Sequence, residues 1–247
     1  MSRIVVLLAL LMVSLPGFAL AATPSEQIDA AHENGQTVFI LITEPGNAKT
    51  EQVRSLVQDA VVQVKRSVLV EMDRTDETNI LLVRKYRARS APVPLVLVLA
   101  SNGAIAAGFQ AEDLTSAAIV QSIPSPKKAE MLKELQSGRA VFITALREDM
   151  TAKAEISSAC SAACGVLTDR SCSIEIDMDD PVEASFLMAL GIDTQSSVPV
   201  TVVINSQGQL TASFSGAVDA TTLVQAINVQ RSACCPGSKT GCGPKSK

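Results

Sequence analysis

The stretch VEMDRTDETNILLVRKYRARSAPVPLVLVLASNG (Val70–Gly103) contains a defined order of predicted secondary structure. It opens on a strand that ends at Asp73, and a short acidic loop leads from there into a helical segment. The Val-Pro step at Pro94 precedes a second, strongly apolar strand, and Ser101–Gly103 is typical of a hairpin turn. The stretch therefore predicts a strand, a helix and the first half of a hairpin.

The same order returns between 103 and 105 residues later, in IEIDMDDPVEASFLMALGIDTQSSVPVTVVINSQG (Ile174–Gly208). The agreement extends beyond this stretch, since GQTVFILIT (Gly35–Thr43) is matched by GRAVFITAL (Gly138–Leu146). Near the end of each copy, TSAAIVQSI (Thr115–Ile123) is matched by ATTLVQAI (Ala220–Ile227). A repeat of domain length predicts two copies of one fold rather than a solenoid of small units.

Each copy is predicted to contain a leading helix, a buried strand, a long helix, a second strand, another helix, a hairpin and a closing helix. The leading helices are expected over Glu26–Glu33 and Lys127–Gln136, and the long helices over Thr50–Val64 and Thr151–Leu167. A parallel strand–helix–strand unit beside an antiparallel hairpin forms a mixed sheet with helices on both faces. The predicted fold class is therefore α/β, with two tandem domains.

The two quoted stretches resemble the thioredoxin superfamily, in which a strand ending in Asp, an acidic loop, a helix and a Pro-containing step lead into a hairpin. The resemblance implies that the proline at this step is cis and that the backbone beside it pairs with extended substrate peptides. Pro94 and Pro199 match that position by their register with the hairpin turn, and Pro92 is a rival in the first copy. These two edges are candidate sites for a protein partner or substrate; alternatively, the prolines only fix tight turns.

Thioredoxin-type exchange needs C-x-x-C at the N-terminus of the long helix, where the helix dipole lowers the pKa of the attacking thiol. The corresponding segments are TEPGNAK (Thr43–Lys49) and LREDMTA (Leu146–Ala152), and neither contains a cysteine. The only histidine, His32, is predicted to be a surface residue of the leading helix rather than a ligand. We therefore assign no catalytic residue and expect no dithiol exchange at either family position.

Three cysteines of the second copy are interpreted as structural thiols. By the internal alignment, Cys160 and Cys164 replace core valines of the long helix, and Cys172 replaces Val68 on the next strand. We expect these surfaces to face each other and the thiols to act as small buried hydrophobes. The alternatives are a disulfide from Cys172 to one helix cysteine and a buried soft-metal site, since C-x-x-x-C is similar to the copper-carrying Sco family. A Cys160–Cys164 disulfide is disfavoured, because side chains at i and i+4 point in parallel.

The other three cysteines, Cys234, Cys235 and Cys242, lie in the C-terminal sequence CCPGSKTGCGP (residues 234–244). Three thiolates on a Gly-rich segment can bind a soft metal ion such as Cu(I), As(III) or Hg(II). The pattern is similar in kind to the As(III) triad of thioredoxin-like arsenic metallochaperones. The alternatives are one loop-closing disulfide, or disulfide exchange with a partner in place of the absent C-x-x-C. The tail is therefore the candidate metal or redox site.

The N-terminus is typical of a secretory signal peptide, because Arg3 precedes the apolar run Ile4–Val13 and Ala19–Ala21 suits cleavage. Export predicts a periplasmic or secreted protein in a compartment that permits disulfides. The two copies are joined by the linker PSPKK (Pro124–Lys128). The predicted organisation is a signal peptide over 1–21, thioredoxin-like domains over 22–123 and 124–230, and the tail over 231–247.

The composition narrows the function classes. Hydrophobic residues make up 47% of the 247, enough for two cores. The net charge of −4, the absence of Trp and the single Tyr argue against nucleic acid as a partner. No segment after the signal peptide is predicted to span a membrane. We expect an exported protein-binding or scaffold module with a thiol-bearing tail; the alternatives are a soft-metal-binding protein and an atypical thiol–disulfide oxidoreductase that uses the tail cysteines.

Overall fold

The computed structural model describes residues 22–229, which form two four-stranded sheets with helices against them. The first copy contains α1 (Pro24–Glu33), β1 (Thr37–Thr43), α2 (Thr50–Gln63), β2 (Ser67–Asp73), α3 (Ile80–Lys85), β3 (Leu95–Leu99), β4 (Ile105–Gln110) and α4 (Ser116–Gln121). The second copy contains α5 (Pro126–Gln136), β5 (Ala140–Leu146), α6 (Lys153–Leu167), β6 (Ser171–Asp177), α7 (Ala184–Ala189), β7 (Val200–Ile204), β8 (Leu210–Ser215) and α8 (Ala220–Ile227). The predicted signal peptide and the cysteine tail lie outside the described residues.

The two sheets have the same topology, with strand orders β2-β1-β3-β4 and β6-β5-β7-β8. In the first sheet, β1 pairs in parallel with β2 and antiparallel with β3, and β3 pairs antiparallel with β4. The second sheet repeats each of these pairings. The predicted α/β class, with a mixed sheet in each of two tandem units, is confirmed.

The central strands are apolar on both faces because helices cover both faces of each sheet. Val38, Ile40 and Ile42 of β1 pack with α1 and α3, whereas Phe39 and Leu41 pack with α2 and α4. In the second copy, α5 and α7 cover one face of β5 and α6 and α8 cover the other. Each copy therefore has two cores, separated by its own sheet.

The helix boundaries differ from the predicted ones at several ends. The helix α1 begins at Pro24 because Thr23 and Glu26 form a reciprocal cap, in which the Thr23 amide donates to the Glu26 carboxylate at 2.7 Å. The helix α5 begins at Pro126, so the last residues of the predicted linker are helical. Proline is well suited to the first helical position, because its missing N–H would have no partner there. The long helix α2 ends at Gln63, one residue before its predicted end. The long helix α6 begins at Lys153, two residues after its predicted start.

The first helix of the second copy also packs against the hairpin of the first copy. The side chain of Gln136 on α5 pairs with the edge of β4, because its amide donates to the Ile105 carbonyl at 2.8 Å and its carbonyl accepts from the Ile105 amide at 2.9 Å. Asn102 in the hairpin turn donates to the carbonyl of Ala129 at 2.8 Å. Small residues at this junction allow the close approach, with Ala104 and Ala129 both buried. The helix α5 thus belongs to the core of one copy and covers the edge of the other.

No helix within residues 22–229 combines the length and the hydropathy needed to cross a membrane.

Candidate functional site

In the first copy, Asn47 lies in the loop between β1 and α2, within the segment where the resemblance would place the thiols. Its side-chain Nδ2 donates to the carbonyl oxygen of Val93 at 2.9 Å, and its Oδ1 accepts from the Lys49 amide at 3.0 Å. Asn47 therefore joins the start of α2 to the residue that precedes Pro94. The side chain provides hydrogen bonds at this place but no nucleophile.

The two proline steps differ in geometry. The Val93–Pro94 bond is the only cis peptide bond within residues 22–229, so the structure assigns the cis position to Pro94 rather than to Pro92. The bond that precedes Pro199 is trans, and the cis geometry that the resemblance implies for it is wrong. The segment from β6 to β7 is one residue longer than the segment from β2 to β3, and this extra residue accompanies the different path of the chain before Pro199.

In the second copy, the backbone before Pro199 is bonded by a neighbouring side chain. The hydroxyl of Ser196 donates to the carbonyl of Val198 at 2.7 Å, and the Val198 amide donates back to the same hydroxyl oxygen at 3.2 Å. In the loop between β5 and α6, the sulfur of the nearly buried Met150 accepts from the amide of Arg147 at 3.3 Å. At both proline steps, backbone groups that would pair with an extended peptide are therefore already bonded within the chain.

An arginine fixes the loop that leads to Pro94. Arg74, directly after β2, pairs with the carboxylate of Glu44 after β1, at 2.5 and 2.9 Å. Its remaining guanidinium nitrogen donates to the carbonyl of Ala91 at 2.5 Å. Because a guanidinium presents several donors in a fixed plane, one side chain holds three segments together. The loop before Pro94 is thus bound to the ends of both parallel strands.

The second copy has an equivalent ion pair, in which the positions of the arginine and the acid are exchanged between the two parallel strands. Here the arginine, Arg147, follows the first strand β5, and its acid partner Asp179 follows β6, at 2.8 Å. Arg147 also donates to the carbonyl of Ser196 at 2.7 Å and to that of Thr194. Each proline loop is therefore held by one arginine through its own carbonyl groups. These contacts were not predicted from the sequence. The available signal is that each arginine directly follows a strand, Arg74 after β2 and Arg147 after β5.

The three described cysteines are free, and they pack in two different hydrophobic clusters. Cys160 is buried and, with Cys164, packs on the α6 face of the sheet, whereas Cys172 packs with the cluster on the α5 face. The expectation of facing surfaces is therefore wrong, because residues that alternate along β6 point to opposite faces and Cys172 shares the face of Ile174. The Cys172–helix disulfide and the three-cysteine metal site both depended on that expectation.

Burial also makes two of these thiols poor nucleophiles. It raises the pKa of Cys160, whose sulfur lies 3.5 Å from the hydroxyl of Thr144. Burial and the nearby carboxylate of Glu134 raise the pKa of Cys172 to about 12. Since the thiolate is the reactive form, both groups are protonated and unreactive near neutral pH. Within residues 22–229, no group of three or more His, Cys, Asp or Glu side chains is placed to hold a metal ion.

Cys234, Cys235 and Cys242 lie outside the described residues, so their metal or redox role stays a prediction from the sequence.

No family model and no curated protein sequence matches this chain. Solved structures match it at low identity. The first two thioredoxin domains of Saccharomyces cerevisiae Eps1p are 10% identical, with 88% of this chain and 100% of that chain covered and a TM-score of 0.33. The zinc-bound form of human ERp44 is 12% identical, with 83% and 58% covered and a TM-score of 0.36. A DsbF homologue from Corynebacterium diphtheriae is 20% identical, with 36% and 71% covered and a TM-score of 0.28.

The assignment of the fold follows from the strand order, the pairing directions and the helices on both faces of each sheet. These features occur twice in the same sequence of elements. The described chain therefore consists of two tandem thioredoxin-like domains.

Proposed function

We propose that this protein is an exported, non-catalytic binding module, which holds a protein partner on two thioredoxin-like domains. One observation carries the proposal: Asn47, in the segment that the resemblance aligns with the thiol position of thioredoxins, bonds the carbonyl of Val93 at 2.9 Å. The side chain of Asn47 forms hydrogen bonds within the domain and offers no nucleophile. This arrangement suits a binding surface better than a site for covalent disulfide exchange. Met150 supports the same conclusion in the second copy, because its sulfur is nearly buried and bonded to a backbone amide.

The reactivity of the described thiols supports this proposal. Dithiol exchange requires an accessible thiolate with a lowered pKa. The pKa values of Cys160 and Cys172 are instead raised by burial. Neither residue lies at the N-terminal end of a helix, where the helix dipole would stabilise the thiolate.

The edges at Pro94 and Pro199 are the proposed partner-binding sites. A partner in extended conformation would pair with the backbone of Val93 or Val198, in the manner of a strand added to a sheet edge. To do so it must replace the hydrogen bonds that Asn47 and Ser196 now make with these backbone groups. Val198 adds an apolar contact, because it is 42% exposed beside the proline. The predicted signal peptide places such a partner in the periplasm or outside the cell.

Binding is tested by the fluorescence anisotropy of a labelled, reduced and carboxymethylated protein that stays unfolded. Val198→Asp is compared with Val62→Asp, which changes another exposed valine, on the helix α2. We expect Val198→Asp to weaken binding by about tenfold, as for loss of a contact of 1–2 kcal/mol, and Val62→Asp to leave it unchanged. Absence of binding by the wild type, or equal effects of the two variants, would contradict the proposal.

The soft-metal and oxidoreductase alternatives both concern Cys234, Cys235 and Cys242. No contact within residues 22–229 favours either of them.

A further inference from the structure

A cleft lies at the junction between the two copies, where α5 packs against the hairpin of the first copy. Its volume is about 560 Å³, within the range of small-molecule sites. We call it the junction cleft. Residues of both copies line it, among them Lys85, Tyr86, Arg87, Gly103 and Lys133.

The junction cleft is positively charged. Lys85 and Arg87 come from the end of α3 and the turn after it, and Lys133 comes from α5 of the other copy. Within the described part of the chain, none of these three cations forms an ion pair with a carboxylate. The acid that acts on this region is the exposed Asp29 of α1. Like charges that are brought together without matching acids are unfavourable, and a bound anion removes that cost.

Two polar atoms beside the cleft have no hydrogen-bond partner among residues 22–229. They are the hydroxyl of Tyr86, a side chain only 7% exposed that lines the cleft, and Nε2 of His32. A buried polar group without a partner destabilises the fold unless a ligand or water satisfies it. His32 lies beside Gly103, which lines the cleft. A Cβ atom at Gly103 would lie 3.2 Å from Cε1 of His32 and 3.5 Å from Nζ of Lys133.

His32 reports the local potential. Burial lowers the pKa of His32, and the positive charges of Lys85 and Lys133 lower it further, against the opposite effect of Asp29. The imidazole therefore lies in a region where a further positive charge is disfavoured and a negative charge is favoured. This electrostatic effect agrees with the unpaired cations that line the cleft.

We propose that the junction cleft binds a small organic anion with two or more carboxylate or phosphate groups, held between the two copies. Lys85 and Arg87 would contact it from the first copy and Lys133 from the second. More than one anionic group is needed to engage cations that project from two copies. A long polyanion does not suit this protein, because its net charge is −4. The inference is independent of the proposed binding at Pro94 and Pro199.

The test is isothermal titration calorimetry of the full mature chain at low ionic strength, with citrate as the carboxylate probe and inorganic pyrophosphate as the phosphate probe. Lys133→Gln removes one cation of the cleft, and the matched control Lys128→Gln removes an exposed lysine from the same helix, outside the cleft. We expect Lys133→Gln to weaken binding by about tenfold, the loss of one charge-assisted hydrogen bond, and Lys128→Gln to change it less than about twofold.

Binding of either probe with this difference between variants supports the proposal, and the probe that binds more tightly identifies the anionic group. The wild type should also melt at a higher temperature in the presence of that probe, because the ligand binds only the folded junction. Failure of both probes to bind the wild type, or an equal effect of the two substitutions, would overturn the proposal. The exposed lysines are not part of a core, so both variants are expected to fold.

Discussion

Asn47 and Val93 are 46 residues apart in the chain, and the side-chain amide of one donates to the backbone carbonyl of the other at 2.9 Å. This hydrogen bond connects the start of α2 with the proline loop. In the second copy, Ser196 bonds the equivalent carbonyl, that of Val198. In both domains, the carbonyl that precedes the proline is therefore bonded by a side chain of the same domain.

Placing two cysteines at the start of α2 should create dithiol exchange activity. The double substitution Asn47→Cys and Thr50→Cys gives C-x-x-C at the start of α2, where the helix dipole lowers the pKa of the first thiol. Thr50 suits the second cysteine because its buried hydroxyl has no hydrogen-bond partner within residues 22–229. We expect this variant to accelerate the reduction of insulin by dithiothreitol. The control carries serine at both positions and should show no acceleration.

If the variant forms the new disulfide, as seen by intact mass after alkylation, but does not reduce insulin, the assignment of Asn47 to the family's thiol position is contradicted.

The buried carboxylate of Glu183 should be important for the stability of the second domain. It is 1% exposed, and it accepts from the Ser125 hydroxyl at 2.6 Å and from the Lys127 amide at 2.8 Å. Glu183→Ala leaves these donors at the start of α5 without a partner, and we expect the free energy of unfolding to fall by about 2 kcal/mol. Urea denaturation measures this loss. The control Glu155→Ala, an exposed acid in the first turn of α6, should change it by less than about 0.5 kcal/mol.

An unchanged urea midpoint in Glu183→Ala would show that Glu183 does not fix the start of α5.

The single histidine allows a direct titration of the junction. We expect nuclear magnetic resonance to give a pKa for His32 below its ordinary value of 6.5, because burial and the charges of Lys85 and Lys133 disfavour the imidazolium. Since the unfolded chain then binds a proton more readily than the folded one, this group destabilises the protein as the pH falls below about 6.5. Lys133→Gln and a bound anion should each raise the pKa of His32. A pKa at or above 6.5 in the free protein would contradict the electrostatics of the junction.

The sequence predicts the fold because its signals are local. The apolar runs of β1 and β5, the acidic loops and the hairpin turns are each contained in a short window, and the internal repeat supplies each signal twice. The alignment between copies also places Cys160 on the buried stripe of α6 and Cys172 on the face of Ile174. Which of these faces meet is a property of the whole sheet, and for that reason the expectation about the three thiols failed.

The contacts that define the candidate sites are long-range. Asn47 bonds Val93 and Arg147 bonds Ser196 over separations of 46 and 49 residues. Periodic patterns in the sequence give no information about such contacts. His32 is predicted at the surface because the sequence of the first copy does not show that α5 covers its hairpin. Side-chain pairing across a fold, and the packing of one copy against another, depend on tertiary geometry rather than on local propensity.

The reduction of insulin by dithiothreitol tests the central claim most directly. The full chain is compared with a variant in which Cys234, Cys235 and Cys242 are all serine, so that only Cys160, Cys164 and Cys172 remain. We expect this variant to give the rate of dithiothreitol alone, because the two thioredoxin-like domains have no cysteine at the start of α2 or α6. Acceleration of insulin reduction by this variant would contradict the claim that these domains bind without exchanging disulfides.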